Sequence, residues 1–246
     1  MIFNKKIDYL FSKPIQIFKI DNFLEEELFN DLNQYFPKIN KELSINNNFG
    51  KFTLDPKNID FENSNQEKVI ERFEKIIFSN NFFNFFTRTF YFKNFLAQKN
   101  ILRKIKYLRV PKIFSDNQKI NKLFFSEINV KYGFSYIKNE GGIVPHVDSQ
   151  RKYLSLMLYF PNNENCKNYG TTFFDSKIPN YSNTHLEENE IKNFKVNNKI
   201  LFRTPFIPNC LFGFVRNDFS WHSVEPINIY NKFVRRSINI NFLLKN

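Results

Sequence analysis

Cysteine, histidine and tryptophan are scarce in this chain, and each scarcity narrows what it can be. Two cysteines, Cys166 and Cys210, are too few and too isolated for a disulfide framework or a structural zinc site. No apolar stretch approaches the ~20 residues that a membrane span requires. The opening segment, MIFNKKIDYLFSKPIQIF, has neither the unbroken apolar run nor the small-residue cleavage site of a secretory leader. A reducing, cytoplasmic setting with no membrane partner is therefore expected. Internal repeats and low-complexity linkers are also missing, so residues 1–246 are expected to form a single domain, long enough to bury a full core.

Acidic residues are outnumbered. Thirty-six Lys and Arg face 24 Asp and Glu, for a formal net charge of +12. Such a balance favours polyanions or acidic substrates, and a nucleic-acid groove is one reading of it. Lysine dominates arginine 27 to 9, however, and phenylalanine reaches 33. That pattern fits a compositional bias placing Lys on ordinary solvated faces and Phe in core volume. The most basic stretch runs from Lys99 to Lys131 and includes Arg103, Lys104, Lys106, Arg109, Lys112, Lys119 and Lys122. It carries no aromatic-rich nucleic-acid signature, so the charge alone decides nothing.

The two halves differ in texture. Residues 1–104 read as mostly helical. Asn22 with Glu25 has the form of a capping box, followed by Leu24, Leu28 and Leu32 until Pro37 stops the pattern. Ser64 with Glu67 repeats the signal ahead of Val69, Ile70, Phe73, Ile76 and Ile77, and a third helix is expected within residues 81–98. From about residue 105 short β-forming runs take over: Phe124 to Ile137, Tyr153 to Phe160, Lys199 to Arg203, Cys210 to Val215 and Lys232 to Phe242. Many short strands without intervening helices predict a sandwich, jelly roll or barrel. The expected class is α+β, mainly β.

Only three histidines occur, which makes their placement informative. His146 and Asp148 lie two apart in GGIVPHVDSQ, on one face of an extended segment. His222 follows in DFSWHSVEP. Two imidazoles and one carboxylate suit a non-haem iron(II) centre with open positions. A His-x-Asp pair alone is weak, since a lone histidine is more often a satisfied core residue. The last strand adds weight. In FVRRSININ, alternation puts Arg235, Ser237, Asn239 and Asn241 on one face and Val234, Arg236, Ile238, Ile240 and Phe242 on the other. An Arg inside a cavity needs an anion, and its planar fork matches a carboxylate. A structural ion pair with an internal acid is the alternative. His185 sits in a polar loop and reads as no ligand, Trp221 reads as structural, and Arg151 and Lys152 read either as lining a substrate entrance or as surface charges.

The order His-x-Asp, distal His, Arg-x-Ser resembles the iron(II)/2-oxoglutarate-dependent oxygenases, within them the prolyl-hydroxylase-like branch. IDNFLEEELFNDLNQYFP resembles the opening helix of that branch, and YIKNEGGIVPHVDSQRKYLSLMLYFPN its metal arm and next strand. NYGTTFF stands where the branch has a Gly-Gly strand, with Tyr169 replacing the first glycine, and NCLFGFVRNDFSWHSVEPI resembles the segment with the distal histidine. The resemblance implies a double-stranded β-helix (a cupin-like jelly roll) over residues 105–246, with N-terminal helices outside it. It implies iron held by His146, Asp148 and His222, and 2-oxoglutarate held by Arg235, Ser237, Tyr136 and Tyr159, ordinary barrel packing being the alternative for both tyrosines. Ascorbate is an optional helper. The implied activity is hydroxylation of a C–H bond in a peptidyl residue, amino acid or small metabolite, releasing succinate and carbon dioxide. Related halogenases lack the carboxylate, so Asp148 points to hydroxylation. Nucleic-acid demethylation and a non-catalytic jelly-roll binding protein are the alternatives. Substrate and oligomeric state are not legible.

Overall fold

A computed structural model describes residues 5–38, 45–47, 50–98, 104, 107, 109–112, 125–138, 140–161, 164–180, 186–227 and 233–245. The chain begins with β1 (Asp8–Phe11), β2 (Ile17–Ile20), α1 (Glu26–Gln34), β3 (Ile45–Asn47), β4 (Lys51–Leu54), α2 (Ser64–Ile77), α3 (Asn80–Ala97) and β5 (Val110–Lys112). The three helices are expected, but the four strands before α2 are not. Two of the caps also differ from expectation. Asn22 adopts φ +48° in a turn, and α1 starts four residues later with Glu25 as its N-cap. Asn and Asp signal turns and caps with the same side-chain chemistry, so the two are easily exchanged. In α2 the cap is Asn63, one residue before Ser64, its side chain accepting from the Gln66 N–H at 2.9 Å.

Eight further strands build the core: β6 (Phe125–Lys138), β7 (Ile143–His146), β8 (Lys152–Phe160), β9 (Thr172–Asp175), β10 (Lys199–Arg203), β11 (Leu211–Val215), β12 (His222–Val224) and β13 (Val234–Leu244). They divide between two sheets. The larger runs β1-β2-β11-β8-β13-β6-β4-β3, with β5 beside β6, and the smaller runs β10-β9-β12-β7. All eight core strands pair antiparallel with one another. The chain crosses repeatedly between the sheets, which is the double-stranded β-helix expected from the resemblance.

Strand alternation decides what each face of the larger sheet does. Phe134 and Tyr136 on β6, Leu154, Leu156, Leu158 and Phe160 on β8, and Ile238, Ile240 and Phe242 on β13 turn outward under the helices. There they meet Leu28, Phe29 and Leu32 of α1, Val69, Ile70 and Phe73 of α2, and Phe82, Phe86 and Phe90 of α3. Phe29 stacks on Phe160 with ring centres 5.0 Å apart, and Phe18 of β2 stacks on Phe90 at 4.4 Å. Each such Phe contributes about 2–3 kcal/mol by burial, so part of the phenylalanine excess seals helices to sheet. The opposite face, with Met157, Tyr159, Phe212 and Phe214, packs against Phe173 and Val224 of the smaller sheet. At its β4–β6 side that interior is polar and open. A fourth helix, α4 (Glu188–Asn197), covers the outside of the smaller sheet through Phe194, which packs on Trp221 and Phe174.

Candidate metal centre

The strand pairing brings the two distant histidines together. His146, the last residue of β7, stands directly opposite His222, the first residue of β12, and their ring centres are 4.2 Å apart. Each imidazole is oriented through its inner nitrogen: His146 Nδ1 lies 2.9 Å from the Val144 carbonyl and His222 Nδ1 2.9 Å from that of Ser220. Both Nε2 atoms are thereby aimed at the Asp148 carboxylate, at 3.9 and 4.0 Å from Oδ1. The three ligand atoms lie within 4.8 Å of one another. Imidazoles tethered on one nitrogen and converging on a carboxylate with the other form a donor set that fits a divalent transition metal.

The turns that carry these ligands are built for rigidity. Before His222, the Asn217 side chain accepts from the Phe219 N–H at 2.8 Å and donates to the Pro14 carbonyl at 2.9 Å. Trp221 points away from the ligand cavity, packs in a cluster with Val147 and Phe194 and donates its indole N–H to the Ile178 carbonyl at 2.7 Å, a structural role as expected. Behind Asp148 lies Arg216, fully buried, which donates from Nε to the Asp148 main-chain carbonyl at 3.1 Å and pairs with Asp218 at 2.6 Å. Arg216→Ala should leave Asp218 charged and buried without that cation, costing about 3–5 kcal/mol in denaturant unfolding.

Asp148 is the electrostatic centre. Burial alone would raise its pKa, but the Lys152 ammonium beside it holds the carboxyl well below the usual carboxylate range. Lys152 Nζ donates to Oδ1 at 2.6 Å and Ser155 Oγ to Oδ2 at 2.7 Å. Burial lowers the His222 pKa against the pull of Asp148, keeping that ring neutral as a ligand must be. Ser155→Ala removes one of the two bonds that orient the carboxylate. A loss of ~10-fold in manganese(II) affinity, read by calorimetry with unchanged thermal unfolding, is the expected result.

Across a cavity of about 230 Å³ from this cluster stands Arg235. It is 3% exposed, and among the described residues no carboxylate comes within salt-bridge distance of it. Nε donates to the Tyr169 carbonyl at 2.7 Å, Nη1 reaches Ser237 Oγ at 3.4 Å, and the guanidinium lies over the rings of Tyr159 and Phe206, 5.0 and 5.2 Å away. Burial lowers its pKa while Tyr159 raises it. Gly170 makes this cradle feasible. A Cβ there would lie 1.7 Å from the Thr204 carbonyl oxygen, so only glycine lets β10's exit pass behind Tyr169.

The expected site residues therefore separate. His146, Asp148, His222 and Arg235 line one cavity. Ser237 and Tyr159 adjoin Arg235, the Tyr159 hydroxyl being shared with Thr171 at 3.0 Å and Thr204 at 2.9 Å while its ring lies under the guanidinium. Tyr136 is a correction. It pairs across β13 with Arg236, not Arg235, and points outward, where it packs on Phe36 and donates to the Pro37 carbonyl. Arg236 shares that outer face and binds Asn33. Arg151 is exposed, whereas Lys152 is the partner of Asp148. His185, Arg103, Lys106, Lys119, Lys122 and the side chain of Cys166 lie outside the described residues. Cys210 is a buried free thiol.

Sequence reasoning missed the far wall. Lys51 and Thr53 of β4, with Lys131, Gly133 and Ser135 of β6, face the same cavity. Burial and the like charge of Lys152 push the Lys51 ammonium down to about 8, Asp148 opposing and Arg235 adding to the effect.

Comparison with protein-family models and with curated proteins finds no match. Solved structures do resemble the fold. HygX from Streptomyces hygroscopicus, with nickel, 2-oxoglutarate and hygromycin B bound, superposes with a TM-score of 0.51 at 6% identity, covering 92% of this chain and 82% of that one. The same protein with nickel and 2-oxoglutarate alone gives 0.50 at 6% identity over the same shares. A prolyl hydroxylase from Trichoplax adhaerens, in complex with a hypoxia-inducible-factor peptide fragment, gives 0.49 at 14% identity over 92% and 83%. At such identities the likeness is one of fold.

Proposed function

We propose that this chain is an iron(II)- and 2-oxoglutarate-dependent oxygenase that hydroxylates a C–H bond, with His146, Asp148 and His222 holding the metal. One observation carries the reading: a buried guanidinium with no acidic partner among the described residues shares one cavity with two imidazoles and a carboxylate. An uncompensated buried cation is costly, and it is retained where an anion occupies the space in front of it. A diacid with one end at the metal and the other on Arg235 accounts for both halves of the site. The fold shared with the 2-oxoglutarate-bound structure of HygX is consistent with that occupant.

The bound metal, with oxygen and the oxo-acid, would supply the oxidising chemistry and release succinate and carbon dioxide. The protein's share is placement. Val144 and Ser220 aim the imidazoles, Ser155 and Lys152 hold the carboxylate of Asp148, and Arg235, held by Tyr169, Ser237 and Tyr159, would bind the far carboxylate of the cosubstrate. Phe214, Met157 and Val224 provide the apolar part of the cavity wall and limit water. The carboxylate of Asp148 in the ligand set favours hydroxylation. Succinate release with iron(II) and 2-oxoglutarate across prolyl peptides, amino acids and methylated oligonucleotides tests the reading. Stimulated turnover with one class identifies the substrate. Absence of both metal and 2-oxoglutarate binding would leave a non-catalytic jelly-roll protein.

A further inference from the structure

The cavity holds more positive charge than metal and cosubstrate would neutralise. Within the proposed function, Asp148 and the two carboxylates of 2-oxoglutarate balance the divalent metal and Arg235. Two ammonium groups in the same wall, Lys51 and Lys152, then have no counter-charge among the described residues, the latter because its partner Asp148 is already counted against the metal, while Lys131 lies exposed to solvent at the rim. Among the described residues neither Lys51 nor Lys131 has a hydrogen bond or ion pair from its side chain. Lys51 is the informative one, since it is only partly exposed and its field reaches Lys152, Asp148, Arg235 and His222.

A second, independent feature lies beside it. Ser135 lines the same cavity, is 1% exposed, and its hydroxyl has no hydrogen-bond partner. Sheet register explains the neighbourhood. Lys51 of β4 stands opposite Ile137, and Thr53 opposite Ser135, so Lys51, Thr53 and Ser135 form one inward-facing polar patch. A desolvated ammonium and an unsatisfied buried hydroxyl, both donors, call for an acceptor carrying negative charge. Lys51 and Thr53 belong to the extra strand β4 and Ser135 to the core strand β6, neither of which carries a metal ligand or Arg235.

We infer that the primary substrate is a small anion, whose carboxylate or phosphate group pairs with Lys51 and accepts from Ser135 on the β4–β6 wall. Asn239 and Asn241, on the inner face of β13, supply neutral hydrogen-bonding groups for the remainder of such a substrate.

This inference rests on the oxygenase reading, and calorimetry separates the two. The full chain is loaded with manganese(II) and titrated first with 2-oxoglutarate, then, at saturation, with N-acetyl-L-aspartate and glycerol 3-phosphate. N-acetyl-L-asparagine amide, in which both carboxyl groups are amidated, and glycerol serve as neutral matches. At least one acidic probe should bind saturably and its neutral match should not, the two arms telling carboxylate from phosphate. Lys51→Met should weaken that binding by ~10-fold or more, and Lys51→Arg should restore much of it. The 2-oxoglutarate Kd should rise by much less than that of the acidic probe in Lys51→Met, since Lys51 acts on the Arg235 end only through its field. The melting temperature of Lys51→Met should not fall, because an unpaired ammonium leaves a partly buried site. Equal binding of acidic and neutral probes, or no acidic binding, overturns the inference. So does a loss of 2-oxoglutarate affinity in Lys51→Met as large as the loss for the acidic probe, which would assign Lys51 to the cosubstrate. Failure of the unmodified protein to bind 2-oxoglutarate instead overturns the oxygenase reading itself.

Discussion

His222→Ala should abolish metal-dependent succinate formation while the protein remains folded. His222 supplies one of three converging ligand atoms, and the arrangement leaves no substitute nearby: among the described residues the cluster consists of His146, Asp148 and His222 alone. Removing merely an outer partner of a ligand costs roughly 10–100-fold in metal affinity, so removing the ligand itself should cost more than ~100-fold. The fold should tolerate the change. His222 sits at the start of a three-residue strand, its ring lies against Phe173 and Phe214, and β12 is held through backbone pairing with β7 and β9. Calorimetric titration with manganese(II), beside a melting curve of the metal-free variant, checks both halves. Tight binding in the variant would remove His222 from the ligand set.

Arg235→Met should raise the 2-oxoglutarate Kd by ~10–100-fold, the equivalent of the 1.5–3 kcal/mol assigned to a charge-assisted contact. The same substitution should leave the ligand-free protein as stable as before or more so, because it exchanges a buried cation lacking an acidic partner for an apolar side chain of similar length. That opposite movement of affinity and stability is the signature of a binding residue. A structural arginine behaves as Arg216 should, where loss leaves a buried Asp218 and stability falls. Arg235→Lys should recover little, since an ammonium cannot reproduce the planar fork lying over Tyr159 and Phe206. Isothermal titration with 2-oxoglutarate and denaturant unfolding of the same samples provide the two readings.

Much of this site is legible in the primary structure because β-strands convert spacing into direction. Two-residue spacing put His146 and Asp148 on one side, and alternation along β13 sorted Arg235 and Ser237 from Arg236 and Ile238, as the packing bears out. The same rule should have excluded Tyr136. It shares parity with Tyr132 and Phe134, whereas Lys131, Gly133 and Ser135 are its polar opposites, so the alternation already marks it as facing the helices. The branch resemblance outweighed that signal. Lys51, Thr53 and their pairing with Ser135 were not legible for a different reason. Their place in the cavity depends on register between strands separated by more than seventy residues, and a four-residue strand between helices announces neither its existence nor its partner. The histidine pair illustrates the limit: each was visible alone, but that His146 faces His222 across one rung is a property of the folded sheet.

The most direct test is a crystal structure of the protein grown with manganese(II) and 2-oxoglutarate, the metal located by its anomalous signal. The account predicts one manganese bound by His146 Nε2, Asp148 Oδ1 and His222 Nε2, with the far carboxylate of the diacid on the Arg235 guanidinium. A metal bound elsewhere, or a diacid that leaves Arg235 without an anion, would contradict it.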